Sequence, residues 1–181
     1  WGLPKRQPPP RANYVRRGDR MLSVIIPARN EEYLERTIRD VLDKARGDIE
    51  VLVILDGHLP EPQIHMDDDR VIFDHFPEPI GQRAATNFAA RKAKGEYLMK
   101  LDAHCAVDEG FDVKLAADCE YDWTVVPRMY NLDRHTWKPK RHKRTDYMYI
   151  SAPDATPPFR AQYYEGKKKD APAGAGPGLA S

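Results

Sequence analysis

Three observations predict an α/β fold with a mostly parallel central sheet and helices on both faces. Nearly continuous apolar runs recur through the middle of the chain, at residues 22–26, 49–55 and 97–101. The segments between them carry apolar residues at helical spacing. Each run then breaks off into polar or turn-forming residues. Strands buried on both faces lose the in-and-out alternation of a half-wet sheet. Strands that alternate with helices pair in parallel through crossover connections.

The elements follow in order. The first strand, 22–26, is closed by Pro27. Asn30 is placed to cap the helix after it, whose Leu34, Ile38, Val41, Leu42 and Ala45 share one face, and Gly47 ends that helix. The second strand, 49–55, is almost wholly apolar and stops at Asp56-Gly57. A weaker third strand occupies 71–73. Gly81 opens a second helix with Ala85, Phe88, Ala89 and Ala93 on one face, and Gly95 follows its end. Residues 97–101 form the fourth strand, and residues 123–128 read as one more.

At 181 residues the chain has the length of one domain with a sizeable core of its own. No run approaches the ~18 apolar residues of a membrane span. The basic start lacks the apolar stretch of a secretory signal. Cys105 and Cys119 make no disulfide framework, and reduced thiols in a cytoplasmic protein are the simpler reading. Residues 1–20, rich in Pro and Arg, predict a disordered basic tail. Residues 166–181, three lysines leading into Pro, Gly and Ala, read as a second tail. With those tails set aside, the body at 21–165 is mildly acidic, which argues against nucleic acid as a partner. The basic run 138–144 reads as a solvated loop, with a loop over an anionic substrate as the alternative. The oligomeric state is left open.

In open α/β sheets ligands bind beyond the carboxyl ends of the strands, so the residues just after each strand are where chemistry is expected. After the fourth strand come Asp102 and His104, which point the same way in an extended segment and can share one divalent cation. Mixed oxygen and nitrogen donors suit Mn²⁺ (or Mg²⁺), and ligand type alone also admits Zn²⁺. Two protein ligands suffice when a diphosphate and water supply the rest. Asp56, at the end of the second strand, can accept from a nucleobase or ribose; the plainer alternative is an Asp-Gly turn. Gly81-Gln82-Arg83, with Asn87 a turn later, can hold phosphate oxygens at a helix start, or merely cap it. Arg29-Asn30-Glu31 follows the first strand. Neither a dinucleotide-binding glycine motif nor a P-loop is present in the sequence. Cys105 reads as a small buried residue rather than a nucleophile. Trp123, Phe159, Tyr163 and Tyr164 read as core or as acceptor-cleft surface.

The order of these pieces is more specific than any one of them. Strand, Pro27-Ala28-Arg29-Asn30-Glu31, helix, strand, Asp56-Gly57, a Gly81-Gln82-Arg83 helix, strand and Leu101-Asp102-Ala103-His104-Cys105 resembles the family 2 glycosyltransferases of GT-A fold. The Asp-x-His motif looks most like that of the polypeptide N-acetylgalactosaminyltransferase branch. The resemblance covers about residues 21–130. It implies a Rossmann-like nucleotide-diphospho-sugar transferase fold and a UDP-linked donor. By it, Pro27, Ala28 and Glu31 match the first nucleotide-contacting loop, Asp56 the acid that reads the base, and Arg83 and Asn87 the helix facing ribose and diphosphate. Asp102 and His104 match the metal motif, with Asp102 also near the ribose. The metal would stabilise the negative charge that gathers on the leaving diphosphate. The resemblance implies a hexosyl- or N-acetylhexosaminyltransferase acting on an acceptor hydroxyl of a glycan, protein or small molecule. After residue 130 neither an acidic base nor a distal metal-binding histidine is matched: His135 and His142 fall in polar, looped sequence. The acceptor half therefore reads as shortened. A nucleotide-sugar-binding module completed by a partner chain is the alternative. A nucleotidyltransferase is a third reading, disfavoured because its Gly-rich first loop is missing.

Overall fold

A computed structural model describes residues 21–119, 123–127, 129–144, 147–151 and 160–164. The tails expected at 1–20 and 166–181 lie outside the described residues, as do Arg128 and Phe159. The elements are β1 (Leu22–Ala28), α1 (Leu34–Lys44), β2 (Ile49–Asp56), β3 (Val71–Phe76), α2 (Gln82–Lys92), β4 (Tyr97–Lys100) and α3 (Phe111–Asp118). Four strands follow: β5 (Tyr130–Asp133), β6 (Lys138–Arg144), β7 (Tyr147–Ser151) and β8 (Arg160–Tyr164). The sheet runs β3-β2-β1-β4 with every pairing parallel. β5–β6 and β7–β8 are separate antiparallel pairs.

The two faces of the sheet are divided by residue parity. Val24, Ile26, Val51 and Val53 pack with Leu34, Ile38 and Val41 of α1 and Phe111 of α3. Ile25, Leu52 and Ile54 pack with Ala85 and Ala89 of α2. Both faces are thus covered, which is why the strands read as unbroken apolar runs. Burying a Leu, Ile or Val side chain contributes about 1.5–3 kcal/mol each. The small Ala85 and Ala89 let α2 lie close on the sheet. This is the α/β arrangement of the GT-A fold that the sequence predicts.

Several details depart from the sequence reading. Pro27 does not close β1 but lies within it, opposite Ile54. The β4 pairing has already ended at Ile25, so the missing amide falls where β1 has a partner on one side only. Asn30 does not cap α1: it sits at φ 54°, and the helix starts later, with Tyr33 as its N-cap residue. Asn is among the few residues that accept the left-handed region. Residues 123–127 form no strand, and Trp123 is 58% exposed, so that apolar stretch is neither core nor sheet. The basic run 138–144 is strand β6 rather than a loop, although Lys138, Pro139 and Lys140 are solvent-exposed as expected. His142 therefore lies in a strand, while His135 lies in the turn before it.

Helix α3 is absent from the sequence reading. It begins after Gly110, at φ 64°, and buries both Phe111 and Asp112. The Asp112 carboxylate accepts the Arg46 amide at 3.0 Å and the Gly47 amide at 2.6 Å, so the acid serves the end of α1. A second buried polar group closes the opposite corner. Glu50, 5% exposed, accepts from Ser23 Oγ at 2.6 Å and from the Lys94 amide at 2.6 Å. Gly95 N–H donates to Ser23 Oγ at 2.8 Å, completing the turn into β4.

Candidate active site at the carboxyl edge of the sheet

β1 feeds α1 on one face of the sheet, and α2 returns to β4 on the other. In the order β3-β2-β1-β4 the chain runs outward from β1 through β2 to β3 and returns to place β4 on the other side of β1, so the strand order reverses between β1 and β4, the position where open α/β sheets hold ligands. On the β4 side, Leu101 N–H donates to Ile25 O at 2.9 Å, and Thr37 Oγ1 donates to Ala103 O at 3.0 Å. Leu101 and Ala103 are buried, Asp102 is half-buried and His104 is exposed. That alternation sends Asp102 and His104 to the same side although the strand itself ends at Lys100.

The two residues do not contact each other but take different partners. His104 Nδ1 lies 3.1 Å from Glu31 Oε2, a contact that joins the loop after β1 to the loop after β4. With Nδ1 donating to the carboxylate, the Nε2 lone pair is left for a cation or a proton. Asp102 Oδ1 meets the Lys100 ammonium and, at 3.3 Å, Gln82 Nε2. Gln82 is the first residue of α2, and the amides just ahead of it are held by Asp56: Ile80 N–H at 2.6 Å and Gly81 N–H at 3.0 Å. Asp56 is only 4% exposed and uses both oxygens this way.

An arc of polar groups thus follows the edge of the sheet in two bonded sets, Asp56 with the start of α2 and Asp102, then His104 with Glu31. Pro27 and Ala28 form the buried end of β1 beneath it. Arg83 and Asn87 share an exposed face of α2 one turn apart, and neither side chain is hydrogen-bonded to the arc. Beside the arc, an open cleft of about 490 Å³ lies between the β1–α1 loop and the tip of the β5–β6 hairpin. Glu31 and His104 line it, whereas Asp56, Arg83, Asn87 and Asp102 do not.

The model of the family described as glycosyl transferase family 2 matches residues 23–175. The chain belongs to that family. It is also similar to an N-acetylglucosaminyltransferase of Azorhizobium caulinodans, 29% identical over an alignment of 105 residues, with 53% of this chain and 26% of the relative covered. The chain therefore spans about a quarter of that relative's length.

In this member of glycosyl transferase family 2 the donor set fits a divalent cation only in part. Among the described residues no three His, Cys, Asp or Glu side chains are grouped as a metal site. The His104–Glu31 contact is nevertheless the carboxylate–imidazole pairing that orients metal-ligating histidines. Asp102 Oδ2 carries no side-chain hydrogen bond and remains as an oxygen donor. Burial, with the Asp102 carboxylate adding to it, pushes the Cys105 thiol up, which keeps the sulfur protonated and unsuited to nucleophilic attack.

Sequence reasoning gave no role to Lys100, Tyr33 or Trp137. Lys100 was recoverable: it stands two residues before Asp102, and the same alternation that pairs Asp102 with His104 puts the ammonium beside the carboxylate. Nothing local marks Trp137, which reaches Tyr33 only because the hairpin folds back onto α1; the ring centroids are 5.9 Å apart.

Proposed function

We propose that the chain transfers a sugar from a UDP-linked donor to an acceptor hydroxyl, with the donor bound across the carboxyl ends of β1 and β4. The observation that supports this reading is the Glu31–His104 contact, which joins the loops after β1 and β4 where the strand order reverses, with Asp102 two residues from His104. In this reading Asp56 and the β1 end face the base, Arg83 and Asn87 the ribose and diphosphate, and Asp102 and His104 a divalent cation, Mn²⁺ or Mg²⁺. The cation would supply charge stabilisation to the leaving diphosphate.

The chain's own residues do the rest. Glu31 orients the imidazole, Lys100 and Gln82 hold Asp102, and Asp56 fixes the start of α2 whose amides and Arg83 favour phosphate oxygens. The Asp-x-His resemblance and the relative named as an N-acetylglucosaminyltransferase both support an N-acetylhexosamine as the sugar to try first. The same reading puts the activity in the cytoplasm, since two cysteines, Cys105 and Cys119, make no disulfide framework and suit a reducing compartment.

The test is calorimetric titration of UDP-N-acetylglucosamine and UDP-N-acetylgalactosamine with and without Mn²⁺, followed by an assay for released UDP. Mn²⁺-dependent binding that Asp102→Ala abolishes is the expected outcome. Equal, metal-independent affinity in wild type and Asp102→Ala removes the metal from the reading. No binding of either nucleotide sugar removes the donor site.

A further inference from the structure

Charge is divided along this chain in a way that the donor site does not use. Residues 21–122, which hold the parallel sheet and its helices, carry 22 Asp and Glu against 12 Lys and Arg, a net −10. Residues 123–144 carry seven Lys and Arg against one acid, a net +6. Most of that positive charge falls on β5–β6, an antiparallel pair separate from the central sheet. The pair is fastened to α1 by Arg36, whose Nη1 donates to Arg134 O at 3.0 Å. Its lone acid, Asp133, is engaged within the hairpin: Oδ1 accepts the His135 amide at 3.0 Å and the Thr136 amide at 3.1 Å, and Lys140 lies 4.0 Å from Oδ2. Arg134 and Lys138 are exposed and, among the described residues, pair with no carboxylate. The same stretch exposes two aromatic residues, Trp123 at 58% and Tyr130 at 43%.

We propose that residues 123–144 form a docking surface for a bilayer that contains acidic phospholipid. Lys and Arg are drawn to acidic headgroups, and Trp and Tyr rings settle at the headgroup level. Stable attachment takes two such signals, and this stretch carries both. A flat bilayer meets the hairpin while the acidic body stays clear of it. A nucleic acid long enough to run past the hairpin meets a body of net −10, which repels it. The hairpin tip lies across the cleft from the β1–α1 loop, so a docked chain turns the carboxyl edge of its sheet towards the lipid. The docking surface stands on charge and exposure alone and is independent of the transferase reading.

The experiment is co-sedimentation of the full chain with vesicles of phosphatidylcholine alone and of phosphatidylcholine and phosphatidylglycerol in equal parts, at low and at high salt. A single-stranded oligonucleotide serves as the comparison polyanion. Wild type is expected to sediment with the acidic vesicles only, and high salt should release it. Lys138→Gln combined with Lys140→Gln should lose at least fivefold in partition to those vesicles. Trp123→Ser should lose at least threefold. All three side chains are exposed, and urea unfolding at the wild-type midpoint checks that each variant is folded. Lys5→Gln combined with Arg6→Gln removes the same charge from the basic segment 1–20 and should stay within twofold of wild type. Equal losses from the two charge removals would mean attraction by net charge alone and overturn the docking surface. So would unchanged partition in Trp123→Ser, no vesicle binding by wild type, or binding to the oligonucleotide without binding to the vesicles.

Discussion

Gly95 is a position where one methyl group decides stability. A Cβ there would lie 2.6 Å from both the amide nitrogen and Oγ of Ser23, and 2.8 Å from Met21 O. Two of these three atoms are backbone, so the turn into β4 must open to admit it. Gly95→Ala is expected to cost about 1–3 kcal/mol in urea unfolding. Glu50→Ala acts on the same corner from the other side, leaving Ser23 Oγ and the Lys94 amide without their acceptor, and is expected to cost about 1–3 kcal/mol. The two changes share partners, so the double variant should lose less than their sum. Charge acts more gently at the surface. Arg70 hydrogen-bonds the Asp68 carboxylate and holds it at about 2, below its ordinary 3.8. A lowered folded-state value means that this pair stabilises the fold fully above pH 3.8 and loses its effect as pH falls towards 2. Because the pair is exposed to solvent, the contribution is well under ~1 kcal/mol. Arg70→Ala should raise the Asp68 titration, followed by NMR, towards the ordinary carboxylate range, with the residue-70 amide still holding it below, while leaving stability at neutral pH almost unchanged.

At the scale of elements, α2 depends on β2. Its N-cap residue Gly81, at φ 87°, has no side chain to bond the first amides, and its first turn carries no acid. Asp56 instead anchors the residues just ahead of the helix from the end of the neighbouring strand, taking the Ile80 and Gly81 amides. Asp56→Ala is therefore expected to lower stability by about 1–3 kcal/mol, whether or not a nucleotide binds. Its effect on UDP affinity separates two roles. A loss larger than the unfolded fraction explains means that the carboxylate also meets the nucleotide; a loss accounted for by unfolding leaves Asp56 as an anchor. The same anchoring explains what could be read from sequence. β1, β2 and the buried faces of α1 and α2 were legible because burial on both sides writes itself as apolar runs and helical spacing. Asp56, Asp102 and His104 were legible as strand-end polar residues. Asp56's partners were not, since they come from a loop 24 and 25 positions away. α3 was hidden by its length of eight residues and by a buried acid that serves another helix. The strand expected at 123–128 failed because a short apolar stretch specifies burial only if an edge is offered to it. The basic strand β6 was read as a loop because its charges describe its solvent exposure, not its backbone pairing.

For the whole molecule, the sheet order β3-β2-β1-β4 gathers the ends of β1, β2 and β4 on one edge and their starts on the other. The loops on these two edges have different tasks. At the amino edge, the turns near residues 45–48 and 94–95 are sealed by buried acids: Asp112 on the Arg46 and Gly47 amides, Glu50 on the Lys94 amide. At the carboxyl edge, His104 meets Glu31 and Asp102 meets Lys100 through contacts between partly exposed groups, which a ligand can rearrange at low cost. A donor that binds the folded chain alone stabilises it by RT ln(1 + [L]/Kd), about 2.7 kcal/mol at a hundredfold excess over Kd. Hydrogen exchange locates that stabilisation. Adding UDP-N-acetylglucosamine and Mn²⁺ should slow exchange at 29–33, 80–83 and 101–105, which form the arc. The amino-edge turns should change little beyond what global stabilisation brings to every slow amide. Protection spread evenly over both edges would mean a general effect without a donor site at the strand ends. Protection of 29–33 and 101–105 that is lost in both His104→Ala and Glu31→Gln would tie ligand binding to the contact that bridges β1 and β4.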